Sequence, residues 1–331
     1  MPDSDETSDE SARSADERPS GDGESPRSAD DSSSKTDGES VFASVIVPVY
    51  DDPAGVAQTL RSLVGQTYSR ERHEIVVVDN DSTDDTRSVV RSYAREHDHV
   101  TMAVEDDVQS SYAARNTGVR ESSGAVCAFV DADMTVEEDW LESVVERFRN
   151  EDVAYLGCDV EIRVPPGEGT VFARYNRASG FPVEYDIEVK RFAPTCCLSV
   201  RRSVFEEVGT FDQRLTSGGD YEFGNRVAAS GVDLHYAPDI VQYHPARSSL
   251  RSLVKKSLRQ GRGVGQLQRY YPDRYGRPGI PPRPDGSHVD STDEKSIPSH
   301  ERVVFELLGL ALLAVRAAGY YGEVLFGADD E

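Results

Sequence analysis

The residues best suited to chemistry are acids at the ends of apolar runs. Ala125–Asp131 reads AVCAFVD and is followed by Ala132 and Asp133. Alternate side chains of an extended chain point the same way, so Asp131 and Asp133 can share one hard divalent ion or its waters and a ligand's sugar. Two further runs end alike, VFASVIVPV on Tyr50-Asp51-Asp52 and EIVVV on Asp79-Asn80-Asp81. Carboxylates repel phosphate, so a diphosphate here needs a bridging cation. Mg²⁺ or Mn²⁺ on one or two carboxylates plus diphosphate oxygens is the common arrangement. No G-x-G-x-x-G follows the first run, which argues against a pyrophosphate cradled by backbone glycines at a helix start. The alternative for Asp131-Ala132-Asp133 is a solvated turn capping the next helix.

The runs that carry these acids predict short buried strands at Val41–Tyr50, Glu74–Asp79, Val100–Val104 and Ala125–Asp131. Between and after them, Pro53–Val64, Asp84–Glu96, Ser111–Glu121 and Glu137–Arg149 predict helices. Strands alternating with helices argue for an α/β fold, a mostly parallel sheet covered on both faces. Ligands of such sheets bind outside the carboxyl ends of the strands, where the acids lie. From residue 152 the pattern is less regular. Phe192–Val200, Val204–Val208, Tyr221–Ser230 and Val232–Val241 predict short strands and helices, and Leu250–Gln268 a basic helix. Residues 272–298, rich in Pro, Gly and Asp, predict a loop, and Glu301–Phe326 an apolar helix or helix pair.

Composition bounds the function. The chain has 331 residues and a net charge of −24, which argues against a nucleic-acid binder. Its basic residues are 31 Arg and only 5 Lys. An acidic, Lys-poor surface stays hydrated in concentrated salt, so the expected setting is the cytoplasm of a salt-loving microbe. Residues 1–40 hold 13 acids and 4 bases and no Val, Ile, Leu, Phe, Tyr or Trp; a disordered acidic tail is expected. Those residues contain no signal-peptide h-region. With only 4 cysteines, in no metal-like spacing, a disulfide scaffold or zinc-finger module is excluded.

Taken together, VIVPVYDD, VVVDNDSTDDT, AARNTGV, FVDADM and the later GTFDQRLTSGGDYEFGNRV and YAPDIVQYH resemble the inverting family 2 glycosyltransferases of the GT-A fold. The likeness runs from about residue 44 to about residue 265, with the motifs in the family's order. It implies a Rossmann-like GT-A domain over 41–270, with a nucleotide half at 41–150 and an acceptor half at 151–270. A linker over 271–300 and an apolar segment over 301–331 follow. By the resemblance, Pro48, Val49 and Tyr50 line the nucleobase pocket, with Asp52 beside them. Asp79 bonds the base, and Asp81 lies in the same loop. Arg115 borders the donor, Asp131 touches ribose or sugar, and Asp133 holds the metal. Asp220, in Gly218-Gly219-Asp220-Tyr221-Glu222, matches the catalytic base; Gly219 stands where relatives carry an acid. His244 matches a histidine that completes the metal site. On residues alone Asp79 and Asp220 are equally good helix caps, and a lone histidine is often structural.

The stretch 247–277 holds nine Lys or Arg and one acid. Arg251, Lys255, Arg259 and Arg262 share a helical face, suited to a phosphate or to anionic headgroups; a solvated face is the alternative. Lys255, Arg259, Arg262 and Glu222 are expected to contact acceptor or phosphate. Val303–Val315 is thirteen residues, too short to span a bilayer on its own. It is expected to pack, dimerise or lie in the interface. The reading is an enzyme using Mg²⁺ or Mn²⁺. It moves a sugar, with inversion, from a nucleotide-sugar donor of the UDP type to a hydroxyl or phosphate. The acceptor is a lipid-linked or growing glycan. The expected location is cytoplasmic or peripheral on the inner face of the membrane. The alternatives are a sugar nucleotidyltransferase, which would want a basic glycine-rich loop after the first strand, and a non-catalytic sugar-nucleotide-binding subunit.

Overall fold

The computed structural model describes residues 41–150, 152–282 and 299–327. The expected tail over 1–40 lies outside them, as do residues 283–298 of the expected linker. The first half alternates strand and helix as the apolar runs require: β1 (Ala43–Val49), α1 (Pro53–Val64), β2 (His73–Asp79), α2 (Thr86–Glu96), β3 (Val100–Val104), α3 (Ser111–Glu121) and β4 (Val126–Phe129). A two-residue β5 (Thr135–Val136) and α4 (Trp140–Phe148) follow. Val45, Ile46, Val47, Ile75, Val77 and Val78 are all fully buried. Both faces of β1 and β2 are therefore covered, which is why these strands read as unbroken apolar runs and not as alternation. Asp52 caps α1, its carboxylate accepting from the Gly55 N–H at 2.8 Å with Pro53 in the first turn. Proline fits there because its missing N–H would be unsatisfied anyway.

The second half contributes β6 (Tyr155–Arg163), α5 (Val171–Ser179), α6 (Val183–Glu188), β7 (Leu198–Arg201), α7 (Arg202–Val208), α8 (Gly219–Ala229), β8 (Leu234–Pro245), α9 (Leu250–Tyr270), the short α10 (Pro272–Tyr275) and α11 (Ser299–Phe326). The sheet has eight strands in the order β3-β2-β1-β4-β7-β6-β8-β5. β1–β2, β2–β3, β1–β4 and β6–β8 pair parallel, whereas β4–β7, β6–β7 and β5–β8 pair antiparallel. The expected mostly parallel sheet is thus present, with β7 inserted against the grain. β1 lies between β2 and β4, and the strand order reverses there. That crevice outside the carboxyl ends is where such sheets bind ligands.

Val303–Val315 alone, with Glu306 in it, is too short to span a bilayer, but the expected helix over Glu301–Phe326 lies within α11, one helix of 28 residues. Within it, Glu301–Phe326 has the length and composition to cross a membrane, with only 17% of its most apolar window buried. The interrupting Glu323 turns inward and pairs with Arg269 of α9 at 3.0 Å. Its charge therefore does not break the outer apolar surface.

Candidate functional site

Three neighbouring strand ends open the site. Pro48 and Val49 end β1, where the Val49 carbonyl accepts from the Asn80 N–H at 2.8 Å. Asn80 in turn ties its amide to the carbonyls of Glu105 and Val108, both at 2.9 Å. The loops after β1, β2 and β3 are thereby stitched together. Tyr50 stands 48% exposed at the rim, open to a stacking partner. Asp79 is fully buried at the floor; one carboxylate oxygen accepts from Arg87 Nε at 2.5 Å and from the Ser82 N–H at 3.2 Å. Its other oxygen, Oδ1, is buried with no hydrogen-bond partner. A buried bare acceptor is costly, and a ligand N–H would satisfy it. Asp79 is not the N-cap of α2; that place belongs to Asp85. Asp81 is surface-exposed and 3.3 Å from Arg87. Asp52 spends one oxygen on capping α1, so its part in the pocket is that of a wall and of a negative neighbour to Asp133.

Asp131 follows β4 and accepts from Arg115 Nη2 at 2.5 Å. Arg115 is 4% exposed and also bonds the Ser111 carbonyl at 3.2 Å. Asp133 comes next to His244 through β5. Thr135 pairs antiparallel with Tyr243, so stepping back along one strand moves forward along the other. Burial pushes the Asp133 carboxyl up, Asp131 and Asp52 add to that, and His244 and Arg247 oppose it. His244 Nδ1 lies 2.7 Å from the Pro245 carbonyl. A carbonyl can only accept, so Nδ1 donates this bond and Nε2 is the ring nitrogen left to meet a metal. Among the described residues no three His, Cys, Asp or Glu side chains form a group able to hold a metal alone. A carboxylate and an imidazole fit a divalent ion whose remaining ligands come from a diphosphate.

Asp220 sits in the first turn of α8. It accepts from the Tyr221 N–H at 3.0 Å and from the Tyr112 hydroxyl at 3.4 Å. Burial raises its pKa against the opposing effects of the Tyr221 N–H, Arg115 and Arg259. Tyr112 and Arg115 are one turn apart on α3, on one face. A single helix thus reaches Asp220 with one side chain and Asp131 with the other. Tyr112 also explains Gly219. A Cβ there would lie 2.8 Å from the tyrosine ring, so no acid fits beside Asp220. The neighbouring Gly218 adopts φ +84°, a left-handed conformation that glycine adopts at little cost.

Other expected contacts fall elsewhere. Glu222 is 1% exposed and locked to Arg226, with Oε2 to Nη2 at 2.8 Å, and Arg274 stands 3.6 Å away. It points to the far side of α8 because i and i+2 on a helix face different ways, so the acceptor contact expected of it is replaced by a buried ion pair. All four cations expected on one face of α9 are exposed, and the positive charge of Arg259 also reaches Tyr112 and Asp220. Three residues were missed. Tyr112 holds Asp220. Arg247 faces Asp133, and burial lowers its pKa. Burial and the neighbouring Arg247 and Arg259 push Lys256 down to about 8. Arg247 lies three residues after His244, a spacing that could have pointed to it.

A family model, Glycosyl transferase family 2, matches residues 44–209. The chain belongs to this family. Its curated relatives include the glycosyltransferase AglE of Haloferax volcanii, 38% identical over 233 residues, covering 70% of this chain and 75% of the relative. A Methanococcus voltae protein, named as a dolichyl N-acetyl-alpha-D-glucosaminyl phosphate 3-beta-D-2,3-diacetamido-2,3-dideoxy-beta-D-glucuronosyltransferase, is 23% identical over 238 residues, covering 69% of this chain and 74% of the relative. Among solved structures, a mannosyltransferase of Pyrobaculum calidifontis in complex with GDP-Man and Mn²⁺ superposes with a TM-score of 0.55 at 22% identity, covering 87% of this chain and 76% of that one. The family 2 glycosyltransferase has the GT-A fold expected from its motifs.

Proposed function

We propose that this glycosyltransferase moves a sugar, with inversion, from a UDP-sugar to a hydroxyl or phosphate of a lipid-linked or growing glycan. The observation that carries this is the α3 bridge, Tyr112 to Asp220 and Arg115 to Asp131. Two side chains one helical turn apart thus hold one carboxylate for the acceptor and one for the donor. Asp220 removes the acceptor hydroxyl's proton as the oxygen attacks the anomeric carbon. Attack from the face opposite the leaving diphosphate inverts that centre. A carboxyl with a raised pKa is a stronger base than an ordinary aspartate once ionised. Tyr112 aims its second oxygen.

Asp131 accepts hydrogen bonds from ribose or sugar hydroxyls while Arg115 holds its orientation. The free Asp79 oxygen takes a nucleobase N–H, and Tyr50 covers the base. Asp133 and His244 would hold Mg²⁺ or Mn²⁺, which when bound supplies charge against the departing diphosphate. Arg247, Lys256 and Arg259 add fixed positive charge to the same side of the cleft. The Methanococcus voltae relative's name includes a dolichyl-linked sugar phosphate, which supports a lipid-linked acceptor and a cytoplasmic membrane face for the reaction.

The test is UDP titration calorimetry in concentrated salt, with and without Mn²⁺. Wild type should bind in a metal-dependent manner. Asp133→Ala should lose that dependence, and Asp220→Asn should keep binding while turnover falls by roughly 100- to 10,000-fold. Metal-independent binding would move the metal role off Asp133. Binding of GDP or dTDP in place of UDP would overturn the donor assignment.

A further inference from the structure

The surface of α11 that faces away from the body is largely apolar, with Glu306 the exposed charge beside its first turns. Val303, Leu307, Leu310, Ala314, Tyr321 and Leu325 fall at steps of three, four or seven residues, so they form one row. Val303 is 57% exposed, Leu307 63%, Leu310 65% and Leu325 68%. From the first to the last the row runs about 33 Å. Apolar surface of this extent on a chain of charge −24 marks an interaction site.

The inner surface is fastened down from end to end. Near its start, Glu301 pairs with Arg174 of α5 at 3.1 Å, and Phe305 meets the Tyr175 ring edge-on at 5.6 Å. Further along, Gly319 packs against the Leu258 carbonyl and Gly261 of α9 against the Arg316 carbonyl, contacts too close for a side chain. The Tyr320 hydroxyl donates to Gln268 at 2.6 Å, and Arg269 reaches Glu323. Held this way, α11 lies along the protein and cannot turn its outer row inward.

Beside it runs the positive strip of α9. Arg251, Lys255 and Arg262 are exposed and share a face next to the row Leu258, Gly261 and Gly265 that touches α11. They belong to the stretch 247–277, which carries nine basic residues and one acid. An apolar row flanked by cations complements an anionic lipid surface. A second copy is a poorer fit. A two-fold interface sets a patch against itself, so the two cation strips would face each other.

We propose that the α9–α11 face docks this protein on an anionic bilayer, with α11 lying in the plane of the interface. The inference is independent of the donor reading. The docked face borders the candidate cleft, since Gly263 of α9 packs against Ser217, three residues before Asp220. An acceptor anchored in that membrane would meet the site without leaving it.

Flotation of the full chain with vesicles tests this, at the lowest salt that preserves the native circular dichroism. Phosphatidylglycerol-containing vesicles should bind it and pure phosphatidylcholine vesicles much less. The triple variant Arg251→Gln, Lys255→Gln, Arg262→Gln removes three charges and should weaken binding on the order of 100-fold. Leu307→Glu with Leu310→Glu should abolish it. Both variants should keep the wild-type circular dichroism and unfolding transition, which reports an intact fold. Equal binding to both vesicle types, unaffected by the triple variant, would overturn anionic recognition. Protein that resists alkaline carbonate extraction from the vesicles would overturn the in-plane placement in favour of a spanning helix. A wild-type dimer that ignores vesicles and dissociates in the leucine variant would assign the face to a second copy.

Discussion

Glu222 is the position where the family resemblance and the structure disagree, and replacing it separates the two. If it contacts acceptor, Glu222→Leu should raise the acceptor KM and leave stability alone. The structure demands the opposite. Glu222 is 1% exposed and holds Arg226 through two bonds, at 2.8 and 3.0 Å. Removing one partner of a buried pair costs about 3–5 kcal/mol. The lower end applies to Glu222→Leu, because the Arg226 side chain is 25% exposed and also bonds the carbonyls of Val208, Gly209 and Thr210. A loss of about 3 kcal/mol corresponds to a fall in Tm of roughly 6–12 °C for a body of this size. The reverse variant, Arg226→Leu, should lose more. It strands a carboxylate with only Arg274 at 3.6 Å. Glu222→Gln, which keeps an acceptor, should lose less. Thermal and urea unfolding in fixed salt give the order, and initial rates per folded molecule give KM. Wild-type stability in Glu222→Leu together with a raised acceptor KM would refute the ion-pair reading.

Four further outcomes are expected. The acid limb of kcat/KM should lie above the ordinary aspartate value of 3.8, since burial raises Asp220. For the same reason the folded state binds the Asp220 proton more tightly than the unfolded chain, so the ionised group costs stability as pH rises through 3.8 and beyond. Asp220→Asn should then be inactive yet at least as stable as wild type at pH 7; a less stable variant would contradict this. Gly219→Ala forces the Tyr112 ring aside from 2.8 Å and should lower kcat by roughly 10- to 100-fold through misplacement of Asp220, whereas an unchanged kcat would deny Tyr112 its positioning role. His73 and His99 are 2% and 8% exposed, stacked edge-on at 5.0 Å, with pKa values lowered chiefly by burial. The native state refuses protons that unfolded histidine accepts below about 6.5. Stability should therefore be intact above that pH and fall below it, by up to about 1.4 kcal/mol per pH unit for each histidine; His99→Leu should flatten the slope in urea titrations.

Much of the first half was legible because its signals are local. Pro53–Val64 and Ser111–Glu121 are helices with the expected bounds, since a cap, a proline or a serine marks each start. β1, β2 and β4 read as unbroken apolar runs because both faces are buried, and the acids that follow them had to sit at the sheet's carboxyl edge. Asp220 and the Asp131–Asp133 pair were legible as site candidates through motif order. The second half was harder. Its helices α5 and α6 were not expected at all, and β7 enters the sheet antiparallel, a choice made by long-range pairing.

The sequence by itself determined the alternating architecture, the acidic edge of the sheet, the positive charge concentrated on α9, and the apolar character of α11. Each follows from composition and periodicity within a dozen or so residues. Only the tertiary structure decided what those residues face. It turned Glu222 to Arg226 and away from the cleft, set Tyr112 where Gly219 leaves room, and brought Arg247 to Asp133. It also placed Glu323 against Arg269, leaving the outer row of α11 apolar. A side chain's partner depends on which distant segment the fold lays beside it, and no spacing along one chain segment encodes that neighbour.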